Sequence, residues 1–179
     1  MGVISALLGL LGCEKKNDLP YEMSETYLGL RELVFNLDPQ TVSATDPDKS
    51  IYAVLMETGI PQGIVTLAAI NDGTVSLYFS NGGGILGSGE YEKPRRICME
   101  YLQAAQSYLG QCTKTSERTL PNRGQTKFYF FTIDDGILTA VAKEDDLGCN
   151  RHNLSPLFHK AQELIAAILE KDEEKTNEE

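Results

Sequence analysis

The chain reads as an α+β domain in which a five-stranded, mainly antiparallel sheet is covered by helices on both faces. Three observations lead there. Apolar residues recur at helical spacing in three separate segments, and five short runs rich in β-branched and aromatic residues are joined by turns or helices. Three of those five runs are apolar on both sides of the strand. A sheet with one wet face alternates apolar with polar residues, so such strands need cover on both sides.

The first helix is expected over residues 24–37, SETYLGLRELVFNL, where Tyr27, Leu30, Val34 and Leu37 share one stripe. Pro39 follows, and DPQTVSATDPDKS reads as an exposed connection. Three strands come next. In SIYAVLMET, Ile51, Ala53 and Leu55 point one way and Tyr52, Val54 and Met56 the other. In GIVTLAAI, Ile64 and Ala68 oppose Val65, Leu67 and Ala69. The turn Gly59-Ile60-Pro61-Gln62 separates these two, and Asn71-Asp72-Gly73 leads into TVSLYFS. That third run alternates, with Val75, Leu77 and Phe79 against Thr74, Ser76 and Ser80, as expected of an edge or thinly covered strand.

A helix is expected from Lys93 or Pro94 to Leu109, with Ile97, Tyr101, Ala105 and Tyr108 as its buried stripe and Gly110 as its stop. The run TKFYFFTI sets Phe128 and Phe130 against Tyr129, Phe131 and Ile133, and Asp134-Asp135-Gly136 turns it into ILTAVAK. Ser155 and Pro156 open the last helix, whose stripe is Leu157, Ala161, Leu164, Ile165 and Ile168. The order is α-β-β-β-α-β-β-α.

At 179 residues the chain accommodates one domain, placed at 20–169, with an apolar segment at 1–19 and a tail at 170–179. The tail, EKDEEKTNEE, supplies four of the ten net negative charges and is expected to be a disordered, solvating end. The net charge of −10 repels nucleic acid, and the chain has no basic stripe, RNP-type aromatic motif or zinc spacing. Four widely spaced cysteines, Cys13, Cys98, Cys112 and Cys149, read as reduced thiols of a cytoplasmic protein.

Residues 1–12, MGVISALLGLLG, are uncharged but too short to span a bilayer, which takes about 20 apolar residues. Val3, Ile4, Leu7, Leu8 and Leu11 recur at helical spacing, as in a segment that docks on the body or on a partner, and peripheral membrane contact through residues 1–12 is an alternative. Leu10-Leu11-Gly12-Cys13 is somewhat like a lipoprotein cleavage box, which would anchor the protein at Cys13. It lacks the basic leader of a secretion signal, and Leu11 is unusual at its position. Ala6 stands where a myristoylation motif carries Ser or Thr.

The order of helices and strands resembles the roadblock, longin and wider profilin-like group of small binding domains. Roadblock domains divide their strands two and three around the middle helix, whereas this chain divides them three and two, and no motif carries over. METGIPQGIVTLAAINDGTVSLYFSNGGG and RHNLSPLFHKA also resemble segments of small uncharacterised bacterial proteins, a resemblance that implies nothing about activity.

Two clusters are candidate sites. Gly82, Gly84 and Gly87 satisfy G-x-G-x-x-G, but the loop follows a hairpin strand, and about 20 positions on the chain is still helical. The βαβ setting of a dinucleotide site is therefore missing, and no Gly-Lys-Ser/Thr follows for a triphosphate. The loop can instead pair Gly82, Gly83 and Gly84 with Lys93, Arg95 and Arg96 at a helix start to receive an anion or an acidic partner. Cys149 and His152 form the second cluster, a thiol with a nearby base, although no orienting group or oxyanion donor is evident. Glu144-Asp145-Asp146 lacks calcium-loop spacing, neither Ser88 nor Ser155 sits in G-x-S-x-G, and no metal or cofactor is expected. The residues point to a non-enzymatic protein-interaction or regulatory domain, inhibitor- or immunity-like, acting on a protein partner or as a homodimer. The alternative is a small-anion or nucleotide-binding sensor using the 81–96 loop and helix start.

Overall fold

The structure, a computed structural model, describes residues 21–42 and 50–178. The apolar segment at 1–19, with Cys13, lies outside the described residues. Strands β1 (Ile51–Ile60) and β2 (Gly63–Ile70) form a hairpin around Pro61 and Gln62. β2 turns into β3 (Val75–Phe79), where Asp72 Oδ1 accepts from the Thr74 amide at 2.7 Å and Gly73 takes the positive φ of 91° that the turn demands. β4 (Gly84–Ile85) returns along β3, and β5 (Thr113–Lys114) lies on the far edge. β6 (Gln125–Thr132) and β7 (Gly136–Lys143) form the second long hairpin, in which the Thr132 hydroxyl donates to the Gly136 carbonyl at 2.8 Å.

All the strand pairs are antiparallel, in the order β4-β3-β2-β1-β6-β7-β5. The sheet thus has seven strands where the sequence reads as five. The two extra strands are two residues each and too short for any periodicity to register. β3 gains β4 as an outer neighbour, so it is the penultimate strand and not an edge.

Both faces are roofed. Over one lie α3 (Glu92–Ala105) and α5 (Ser155–Glu178), enclosing Val54, Met56, Leu67, Leu77, Phe128 and Phe130 with Tyr101, Leu102, Leu164 and Ile168. Over the other lie α1 (Glu25–Phe35) and the single turn α2 (Pro39–Val42), whose Tyr27, Val34, Phe35 and Val42 pack on Ala53, Leu55, Ala68, Tyr129 and Phe131. The expected facing is overturned at the start of β1. A register shift against β6 between Ile51 and Ala53 puts Ile51 with Val54 and Met56, and Tyr52 with Ala53 and Leu55. The facings of β2 and of Phe128 to Phe131 are as expected.

On its β6–β7 side the α1 layer is closed by residues 115–123, which are neither helix nor ladder strand. This strap is tied at Thr119, whose carbonyl accepts from the Tyr129 hydroxyl and whose Oγ1 accepts from Lys127 Nζ, both at 2.5 Å. Leu120 packs into the layer, and the Arg118 guanidinium lies 4.9 Å from the Phe35 ring centre.

Three helix ends differ from expectation. α3 stops at Ala105 and tightens into a 3₁₀ stretch over Gln106–Gln111, a common way of satisfying final carbonyls. Ser155 does not cap α5. It is the first helical residue, and its hydroxyl is bonded back to the Asp146 carbonyl and the His152 amide at 3.3 Å each. The acidic end is ordered as helix to Glu178, supported by Lys171 pairing with Glu174 at 2.6 Å and by Lys171 and Lys175 over the Tyr91 ring. A short helix, α4 (Glu144–Gly148), links β7 to α5. No helix among the described residues is long and apolar enough to cross a membrane.

Candidate functional site

α1 starts where Ser24 Oγ accepts the Tyr27 amide at 3.1 Å, an N-cap that Glu25 reinforces in the first turn. Its inner face buries Tyr27, Arg31, Val34 and Phe35. Arg31 is there because Glu57 is beneath it. The guanidinium meets the carboxylate in a two-point contact, Nε to Oε1 at 2.7 Å and Nη2 to Oε2 at 2.9 Å, and Glu57 has no exposure at all. The Tyr27 hydroxyl donates to Glu57 Oε1 at 3.0 Å and lies 3.1 Å from Thr66 Oγ1. Across the sheet Lys127, Glu57, Thr66 and Tyr78 occupy successive partner positions, so one polar belt crosses four strands under α1. Burial and the Glu57 charge push the phenols of Tyr27 and Tyr78 far above the usual tyrosine range. Glu57 holds the Arg31 guanidinium charged against the opposing effect of burial.

The outer face of the same helix is different. Leu28 and Leu33 stand 46% and 67% exposed; five residues apart, they lie about 140° apart around the helix, with Glu32, paired with Arg118, between them. The missing Cβ of Gly29 would meet nothing within 4 Å among the described residues. Leu86, Ile133, Val141 and Leu169 are the other exposed large apolar residues among those described, Leu86 and Ile133 in connections, Val141 in β7 and Leu169 in α5. Scattered single residues of that kind are ordinary. α1 alone carries two.

The glycine-loop residues and the helix-start cations lie apart. Gly82 and Gly83 turn the chain at the far end of β3, where Gly82 packs against Ser24 of α1. Their amides are used locally, Gly82 donating to the Phe79 carbonyl at 2.9 Å and Gly83 to Asn81 Oδ1 at 3.0 Å. Gly84 is paired in β4. Arg95 lies at the opposite end of β3, donating to the Asp72 carbonyl at 2.8 Å across Gly73. Lys93 pairs with Glu170 of α5, and Arg96 with Glu100 at 2.6 Å.

Other glycines surround Arg95 instead. With Gly73, Thr74, Gly87, Gly89 and Glu90 it lines a cleft of about 190 Å³. A Cβ on Gly89 would run into the Gly73 carbonyl, so these two backbones touch because neither residue has a side chain.

Cys149 caps the end of α4 and is exposed. His152 Nδ1 accepts the Leu154 amide at 3.1 Å, which fixes the ring as part of the α4–α5 turn. His159 Nε2 lies 3.0 Å from Asn150 Oδ1. Arg151, bonded to Asp146 at 2.9 Å, is the charged neighbour of Cys149. Among the described residues no group of three or more His, Cys, Asp or Glu is placed to hold a metal ion.

The Arg31–Glu57 pair is absent from the sequence expectations, although two signals mark it. Arg31 follows Tyr27 by four residues and precedes Val34 by three, on the buried stripe of its helix. Glu57 interrupts a strand otherwise apolar on both sides. Comparison of the chain with family models, with curated proteins and with solved structures finds no match.

Proposed function

We propose that this chain is a protein-docking domain without catalysis of its own, and that the outer face of α1 does the docking. The observation that carries this reading is that one short helix carries two of the exposed large apolar side chains, Leu28 and Leu33, and an open position at Gly29. Glu25 on the same helix, within a net charge of −10, favours a partner with an apolar patch beside basic residues, whereas Glu32 is already paired with Arg118. The free thiols of Cys98, Cys112 and Cys149 fit residence in the cytoplasm.

The test is affinity capture from source cells with the wild-type chain and with the Leu28→Lys/Leu33→Lys double variant, then calorimetry with the partner identified. Wild type is expected to bind, and the variant, with an unchanged melting temperature, to bind at least tenfold more weakly. Equal affinity overturns the assignment of the face.

A second reading, an anion-binding sensor, is favoured by the Arg95 cleft and its glycine walls. It requires phosphate or a nucleotide to raise the wild-type melting temperature by mass action, and Arg95→Ala to abolish the rise. No rise in the wild type removes it.

A further inference from the structure

We propose that the Arg95 cleft takes a small zwitterion, an α-amino acid with a short uncharged side chain, whose carboxylate meets Arg95 and whose ammonium group meets Glu90. This rests on reading that cleft as a ligand site, and it assigns the site a ligand of both charges in place of a plain anion.

The cleft forms where two loops touch. Gly73 lies in the β2–β3 turn, and Gly87 to Gly89 lead from β4 into a single 3₁₀ turn over Ser88–Glu90. The contact of Gly89 with the Gly73 carbonyl holds the two loops together. Gly73 and Gly87 both take positive φ, 91° and 73°, so the backbone bends sharply on each side of the opening. Half of the lining residues are glycines, and Thr74, Glu90 and Arg95 supply the side chains.

Arg95 is fixed at two points. Its guanidinium lies where a Gly73 side chain would be, and Nη2 donates to the Asp72 carbonyl at 2.8 Å. A guanidinium carries five N–H donors in a planar fork, so most of them are left for a carboxylate. Glu90 lines the same cleft five residues earlier, and the two charges do not meet. Among the described residues neither makes an ion pair, although Glu90 acts on Lys175 of α5 at longer range.

Two opposite charges held apart on one opening select ligands by charge. A phosphate or other plain anion gains Arg95 but faces the Glu90 carboxylate, and a plain cation meets the reverse. A molecule that carries both charges satisfies both groups. Size narrows the choice further. Sites for drug-sized ligands start at about 300 Å³, so a cleft of about 190 Å³ is too small for a nucleotide. At about 30 Å³ per water it holds about six waters, the bulk of a small amino acid. The rest of the lining offers neither a large apolar wall nor a third charge, so the ligand's own side chain is short and uncharged.

Amide chemical-shift titration of the nitrogen-15-labelled full chain tests this, with L-serine, acetate, methylammonium, inorganic phosphate and adenosine monophosphate as probes. L-Serine should move the Gly73, Gly87 and Gly89 amides along one saturable curve, and acetate and methylammonium should bind at least about fivefold more weakly. Arg95→Gln and Glu90→Gln, both at exposed positions, should each weaken L-serine at least about fivefold and leave the β1 amides and the melting temperature unchanged. L-Serine affinity that survives either substitution overturns the proposal, as does acetate or methylammonium binding as tightly as L-serine. If phosphate or adenosine monophosphate moves these amides and L-serine does not, the zwitterion falls and the anion reading stands. If no probe moves them, both fall.

Discussion

Glu57 is a carboxylate with no access to water, so its stability rests on the three groups that touch it: Arg31, Tyr27 and, through Tyr27, Thr66. Removing one member of a buried pair strands the other charge at a cost of about 3–5 kcal/mol, whereas replacing both by apolar groups of similar size is often neutral. Arg31→Met is therefore expected to lower unfolding stability by that amount, and Arg31→Met with Glu57→Leu to recover most of it. Urea unfolding of the three chains gives the answer, and a double variant no better than the single one would show that Tyr27 and Thr66 depend on the carboxylate. Both residues could have been singled out from the sequence, each being a charge in an apolar pattern. Their pairing could not, because Arg31 and Glu57 lie 26 positions apart and meet only when α1 lies across β1.

At the level of the element, α1 carries a conflict between stability and shape. A glycine inside a helix costs about 1 kcal/mol relative to alanine, and no described residue packs where a Gly29 methyl would go. Gly29→Ala is thus expected to stabilise the body by about 1 kcal/mol, while Ser24→Ala, which removes the cap, costs about the same. Thermal unfolding of both variants checks the pair, and a Gly29→Ala chain no more stable than wild type would mean that the position is already covered. Among the strands, β2 and β6 were legible because each long run keeps its period of two. The start of β1 was not, since a register shift at Tyr52 changes the facing without any mark in composition. The glycine loop misled because sequence proximity stood in for spatial proximity. β3 is about 16 Å long, and it separates Gly82 from Arg95.

For the molecule as a whole, the double roof was legible because three strands greasy on both sides admit no other arrangement. What covers each face was not. α3 and α5 follow from their stripes, but the strap at 115–123 is a polar sequence whose single leucine, Leu120, is only half-buried. The same burial that closes both layers makes the protein sensitive to alkali. Tyr27, Tyr78 and Tyr101 all have phenols raised chiefly by desolvation. Below about pH 10 they are neutral in folded and unfolded chains alike, and above it the unfolded chain loses protons that the folded one retains. The phenols' contribution to stability should therefore be flat to about pH 10 and then fall, by up to about 1.4 kcal/mol per pH unit for each, on top of an earlier loss from the Cys112 thiol, which burial also raises. Absorbance at 295 nm should show these three among the eight tyrosines ionising only as the chain unfolds, and their smooth titration in a folded protein would count against the buried assignment.

The two layers also differ in how they can be entered. Helices α3 and α5 hold their side through the packed side chains of two long buried stripes, whereas the strap is fastened through the Thr119 bonds, Leu120 and Arg118. Severing those few ties would wet Lys127 and Tyr129 while Phe128 and Phe130, one residue away along the same strand, stayed dry. A molecule fastened so unequally can loosen one flank without surrendering its shape, and a protease let in there would nick the chain long before it dismantled it.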